Sequence, residues 1–113
     1  MNVKLSSVAY TRSGDKGCDS NVGVIFINHE LYTWAKDYLT SNKVKNYFGE
    51  LVKGDVIRYE LDNLFAFNFI LHDSLGGGGS ESLLNDAQGK THGQSLLLME
   101  IDLPNKFKDL INE

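Results

Sequence analysis

Between Val3 and Tyr10 the chain alternates, with Val3, Leu5, Ser7 and Ala9 on one side and Lys4, Ser6, Val8 and Tyr10 on the other. A period of two marks a half-buried strand. Thr11–Asn21, TRSGDKGCDSN, is polar and glycine-rich and reads as a loop. Val22–Ile27, VGVIFI, is apolar and β-branched, and its periodicity fits a buried strand or the inner part of a helix. Leu31, Trp34, Ala35, Tyr38 and Leu39 then form one helical stripe, with Asn28 placed to cap it and Glu30 in the first turn, where a negative charge suits the dipole. A shorter helix carries Val44, Tyr47 and Phe48 and stops at Gly49.

Residues 55–61 place Ile57, Tyr59 and Leu61 on one side and Val56, Arg58 and Glu60 on the other, a strand with one wet face. Asp62–Asn63 supplies turn chemistry. The next strand sets Phe65, Phe67, Phe69 and Leu71 against Leu64, Ala66, Asn68, Ile70 and His72. These two strands form a hairpin. A last strand aligns Leu97, Met99, Ile101 and Leu103 and ends at Pro104, after which Asn105 caps a short helix with Phe107, Leu110 and Ile111. This order predicts an α+β domain, with a largely antiparallel sheet and helices on one face; a ferredoxin-like arrangement is the nearest common architecture.

The stretch LGGGGSESLL, Leu75–Leu84, resembles an engineered tether, which would divide the chain. The segment after residue 80 has one good strand and a short helix, too little to hold a core alone. The expectation is one domain over residues 1–113, with the glycines in a native loop that needs positive φ or close backbone approach.

Composition narrows the classes. Of 113 residues 42% are apolar and 23% charged, as in a globular protein. The net charge is −4 and the basic residues are scattered, which argues against nucleic acid as a partner. No apolar run approaches the roughly 20 residues that span a bilayer, and the first ten residues lack the long apolar centre of a signal peptide. A cytoplasmic location is the default expectation, and the single Cys18 forms no intrachain disulfide.

Candidate chemistry gathers in Arg12–Gly23, Phe67–Leu71 and Leu75–Gly93, which hold nine of the eleven glycines. GKT at Gly89–Thr91 ends like a Walker A loop, but that pattern requires glycine where Leu84 stands. A looser anion site could use the amides of Gly76–Gly79 with Lys16 or Lys90; the alternative, at even weight, is that the glycines only turn the chain. Lys16 could lower the pKa of Cys18, yet an inert thiol is the simpler reading. His29, His72 and His92 fall in no metal-ligating pattern, and neither a metal nor a cofactor is expected. Asn68 interrupts an aromatic strand and must find a partner: a loop to brace or a ligand. Asp15 and Asp86 could pair with Lys16 or Lys90, or one could be a general base, so Asp15, Lys16, Asp86 and Lys90 are the catalytic candidates.

These three stretches together, RSGDKGCDSNVGVI, VIRYELDNLFAFNFIL with LGGGG, and SLLNDAQGKTHGQSLLLMEIDLP, resemble the small C-terminal domain of the acyclic terpene utilisation protein A (AtuA-like) family, over about Ser6 to Pro104. The resemblance implies a ferredoxin-like fold. Such a domain usually follows a larger AtuA-like domain, and this chain looks like the separate small form. It also implies a link to catabolism of acyclic terpenes and acyl-CoA compounds, with no reaction assigned to the small domain. The motif positions carried over are Arg12, Ser13, Gly14, Asp15, Lys16, Gly17, Asn21, Asn68, Gly76, Gly77, Gly78, Asp86, Gln88, Gly89 and Lys90. The family pattern does not require Cys18.

Three functions follow as expectations. The first is an accessory subunit docked on a larger AtuA-like protein, sharing a pocket with it. The second is a self-sufficient hydrolase or lyase acting on an acyl-CoA, another anionic small molecule or an organic acid, its site enclosed by homo-oligomerisation. The third is a structural interaction domain. The first is the preferred reading.

Overall fold

The computed structural model describes residues 1–16, 19–73 and 92–111, with the side chains of Asp15 and Lys16 outside the description. Its main sheet has four antiparallel strands: β2 (Ala9–Lys16), β3 (Asp19–Phe26), β4 (Val56–Leu61) and β5 (Ala66–Leu71), in the spatial order β2-β3-β5-β4. Two helices, α1 (His29–Tyr38) and α2 (Ser41–Phe48), connect β3 to β4. Because β5 pairs antiparallel with both, β3 and β4 run parallel with β5 between them, a split β-α-β unit. A separate ribbon pairs β1 (Asn2–Lys4) with β6 (Glu100–Asp102). The fold is α+β of the ferredoxin-like kind, with antiparallel sheets and helices against one face of the larger one.

Local signals account for the helices. Asn28 Oδ1 accepts from the Leu31 amide at 3.0 Å and caps α1. Thr40 Oγ1 does the same for the Lys43 amide at 3.1 Å and caps α2, while Gly49 ends that helix with φ 58°. Leu31, Ala35 and Leu39 are buried, and Trp34 stacks on Tyr38 at 4.7 Å. Tyr32, outside the predicted stripe, is also buried, and its hydroxyl donates to Asp62 at 2.5 Å. Val44 and Phe48 face the core as expected, whereas Tyr47 is exposed and donates to the Ser95 carbonyl.

Val22–Ile27 belongs to a strand: Ser20, Val22, Val24 and Phe26 are buried, and the residues between them are half-buried. Four expectations are corrected. The predicted strand over 3–10 is broken by a 3-10 turn at Leu5–Ser7, so Leu5 and Val8, three residues apart, are both buried. The predicted loop Thr11–Asn21 is mostly strand, paired from Ala9↔Phe26 to Lys16↔Asp19. Polar residues suit β2 because it is an edge strand with one wet face. Residues 92–97 are helical, and Leu96 is buried rather than Leu97. Gln94 to Leu98 contains no β-branched residue, so strand propensity is weak there. Lastly, Asn105 caps no helix: a 3-10 turn spans Asn105–Leu110 after Pro104, without a side-chain cap, and buries Phe107.

The core joins both ends of the chain. Leu5 and Val8 lie in one cluster with Val22, Phe67, Phe69, Leu96, Ile101 and Leu103. No described helix is long and apolar enough to cross a membrane.

Candidate functional site

Strand alternation sorts the motif residues onto two faces. On the outer face, away from the helices, three rows cross all four strands. Tyr10, Ile25, Ala66 and Leu61 make the first, Arg12, Gly23, Asn68 and Tyr59 the second, and Gly14, Asn21, Ile70 and Ile57 the third. Arg12, Gly14, Asn21 and Asn68, predicted from scattered sequence positions, thus share one surface. Asn21 Nδ2 donates to Asn68 Oδ1 at 3.3 Å, so Asn68 braces the neighbouring strand. A Cβ at Gly14 would lie 3.0 Å from Asn21 Oδ1, so a side chain there would require the Asn21 amide to give way by a few tenths of an ångström. A depression of about 590 Å³, lined by Asp19, Ser20, Asn21, Asn68 and Ile70, opens on this face.

The wet face of β4 is the apolar one. Tyr59 is 54% exposed, Leu61 41% and Ile57 39%, and Tyr10 on the opposite edge is 53% exposed. Arg58, by contrast, turns toward α1 and donates to its terminal carbonyls.

Ser13 does not join this surface. It lies on the inner face against the helical segment 92–97, where a Cβ on Gly93 would come within 2.7 Å of Ser13 Oγ. Thr11 Oγ1 donates to the Gly93 carbonyl at 3.0 Å. Here a glycine allows helix and strand to touch.

Asp15 and Lys16 pair with Ser20 and Asp19 at the end of the β2-β3 hairpin. Gly17 and Cys18 lie outside the described residues, as do Gly76, Gly77, Gly78, Asp86, Gln88, Gly89 and Lys90.

Sequence reasoning missed two pairs at this end of the sheet. His72 Nδ1 lies 3.1 Å from Asp19 Oδ2, whose other oxygen accepts from the Asp73 amide at 2.8 Å. Ser20 Oγ lies 3.0 Å from His92 Nδ1, with both residues buried and the imidazole edge-on to Phe48. Ser20 shares parity with Val22, Val24 and Phe26, and a hydroxyl in that apolar row was the available signal. The Asp19–His72 pair follows only from the β3–β5 register. Among the described residues no three His, Cys, Asp or Glu side chains converge as a metal site.

Burial pushes the His92 imidazole below its ordinary range, since a charged ring would lose water without gaining a counter-charge. The folded state favours the neutral ring. Its stabilising contribution is therefore complete above the unfolded value of about 6.5 and is lost as pH falls. Urea unfolding at pH 7.5 and 5.5 should show the native chain losing more stability than His92→Asn over that interval. Equal losses would show that His92 is not responsible.

A family model, the AtuA ferredoxin-like domain, matches residues 3–102. The chain belongs to that family. No curated protein matches it, and no solved structure does. In this AtuA ferredoxin-like chain the matched span includes both faces of the sheet and every candidate residue named above.

Proposed function

We propose that this chain is an accessory module that docks on a larger AtuA-like protein through the outer face of its four-stranded sheet, in the catabolism of acyclic terpenes or related acyl-CoA compounds. One observation carries the reading: Tyr10, Ile57, Tyr59 and Leu61 are exposed on the face that also holds Arg12, Asn21 and Asn68. Aromatic and aliphatic side chains gathered around a polar centre are what a protein interface buries, and tyrosine and arginine are favoured among its energetic anchors. The family resemblance supplies the partner, since such domains usually accompany a larger AtuA-like unit. A larger substrate needs more enclosure than an open sheet face gives, and pockets favour the boundary between two units.

Co-expression with an AtuA-like protein from the same genome, followed by affinity capture and sedimentation, tests this. A one-to-one complex is expected, and Tyr59→Asp should weaken it at least about thirtyfold, the effect of losing an interface anchor worth about 2 kcal/mol. A chain that sediments alone beside the larger protein, or a symmetrical dimer that Tyr59→Asp dissolves, would overturn the reading.

A further inference from the structure

Gly23 stands in the middle of β3, an interior strand of the sheet, where glycine weakens pairing and contributes no packing. The fold gives no reason for it. Among the described glycines only Gly49 has a positive φ, so the Gly23 backbone suits any residue. A Cβ there would lie 3.6 Å from the Arg12 carbonyl oxygen and 4.0 Å from that of Phe67, both ordinary contacts. What the missing side chain leaves is space on the outer face.

The neighbours give that space a polarity. Across the row stand Arg12 on one side and Asn68 on the other, about 10 Å apart at two interstrand spacings. Arg12 is exposed, and among the described residues its guanidinium has no ion-pair or hydrogen-bond partner. Asn68 spends its carbonyl oxygen on Asn21, and its NH2 donates to no described residue. One row away, toward the β3 C-terminus, the neighbours are the exposed Tyr10, the half-buried Ile25 and the buried Ala66. A cation and an amide donor thus flank a slot that becomes apolar along one direction.

We propose that the slot over Gly23 binds a small monocarboxylate with an apolar tail. The carboxylate would take the fork of the Arg12 guanidinium and the Asn68 NH2, and the tail would lie over the half-buried Ile25 beside the exposed Tyr10. Arginine suits a carboxylate because its planar donors match both oxygens. The sheet floor provides these contacts itself, so the proposal does not rest on docking to a larger protein.

Hexanoate titrated into the 15N-labelled chain tests it, with hexanamide as the neutral counterpart. Saturable shifts are expected at the Gly23 amide, the Asn68 side-chain NH2 and the Arg12 Nε–H, with a dissociation constant on the order of 1 mM for so small a ligand. Arg12→Gln, at an exposed position, should weaken binding at least about tenfold, and hexanamide should bind as weakly. Gly23→Val should fill the slot and abolish the shifts while leaving thermal unfolding cooperative. Absence of saturable shifts at these three groups would overturn the proposal. So would shifts that persist in both variants, or equal binding of hexanamide. Because no partner protein is present, failure here leaves the docking test untouched, and failure to dock leaves this one standing.

Discussion

Phe67→Ala is expected to lower the free energy of unfolding by about 3–5 kcal/mol, the range for removing a fully buried aromatic ring. Phe67 has no solvent exposure and sits on β5, between β3 and β4. Its ring lies 5.1 Å from Tyr32 and 6.0 Å from Phe69, and meets Phe26 edge-on at 5.6 Å. Arg58 covers it at 4.4 Å. Neighbours drawn from β3, α1, β4 and β5 cannot all collapse into the space left, so the cavity cost adds to the lost transfer energy. Urea unfolding followed by tryptophan fluorescence gives the number. A loss below about 1.5 kcal/mol would mean that the aromatic cluster repacks freely and that the layer between sheet and helices is not its tightest part.

That ring could be placed from the sequence, and the reason is local. Phe67, Phe69 and Leu71 recur at a period of two, and alternation alone puts them on one side of a strand. Helix α1 was legible for the same kind of reason: Asn28 and the stripe from Leu31 to Leu39 lie within one short window. What stayed hidden depends on pairing between distant segments. Arg12-Ser13-Gly14-Asp15 looks like a loop because its residues are polar and flexible, and only the ladder to β3 makes it a strand. Ile57, Tyr59 and Leu61 look like the inner face of β4, yet the register against Ile70, Asn68 and Ala66 turns them outward. An apolar face left in water is where hydrophobic pattern and fold disagree, and the docking proposed above would account for that disagreement.

The motif itself was only partly readable. Consecutive letters suggest one cluster, but strand alternation sends Arg12 and Gly14 to the outer face and Ser13 to the inner one, against the helical segment 92–97. Asn21 and Asn68, 47 residues apart, meet because β3 and β5 pair. The Ser20–His92 contact spans 72 residues and needed the same long-range information. Sequence spacing cannot supply it, since any register of a strand preserves the composition while exchanging the partners.

Arg58→Ala should cost about 2–4 kcal/mol, through two charge-assisted hydrogen bonds and the packing of the guanidinium. Arg58 Nη1 donates to the carbonyls of Lys36 and Leu39, each at 2.9 Å, where α1 leaves its last acceptors unpaired. Its other terminal nitrogen reaches Glu60 at 2.9 Å, and its face rests on Phe67. A positive charge at a helix C-terminus also meets the negative end of the dipole. Arg58→Lys keeps the charge but lacks the planar fork, so it should restore less than half of the loss. The double variant with Phe67→Leu is the sharper test, because cation and ring touch: the two losses should fall short of additivity by about 0.5–1 kcal/mol, the strength of such a contact near the surface. Strict additivity would mean that the guanidinium acts only on the helix end and that the ring beneath it is mere support. An Arg58→Ala loss below about 1 kcal/mol would show that water satisfies those carbonyls as well as the side chain does, and that β4 holds α1 by apolar contact alone.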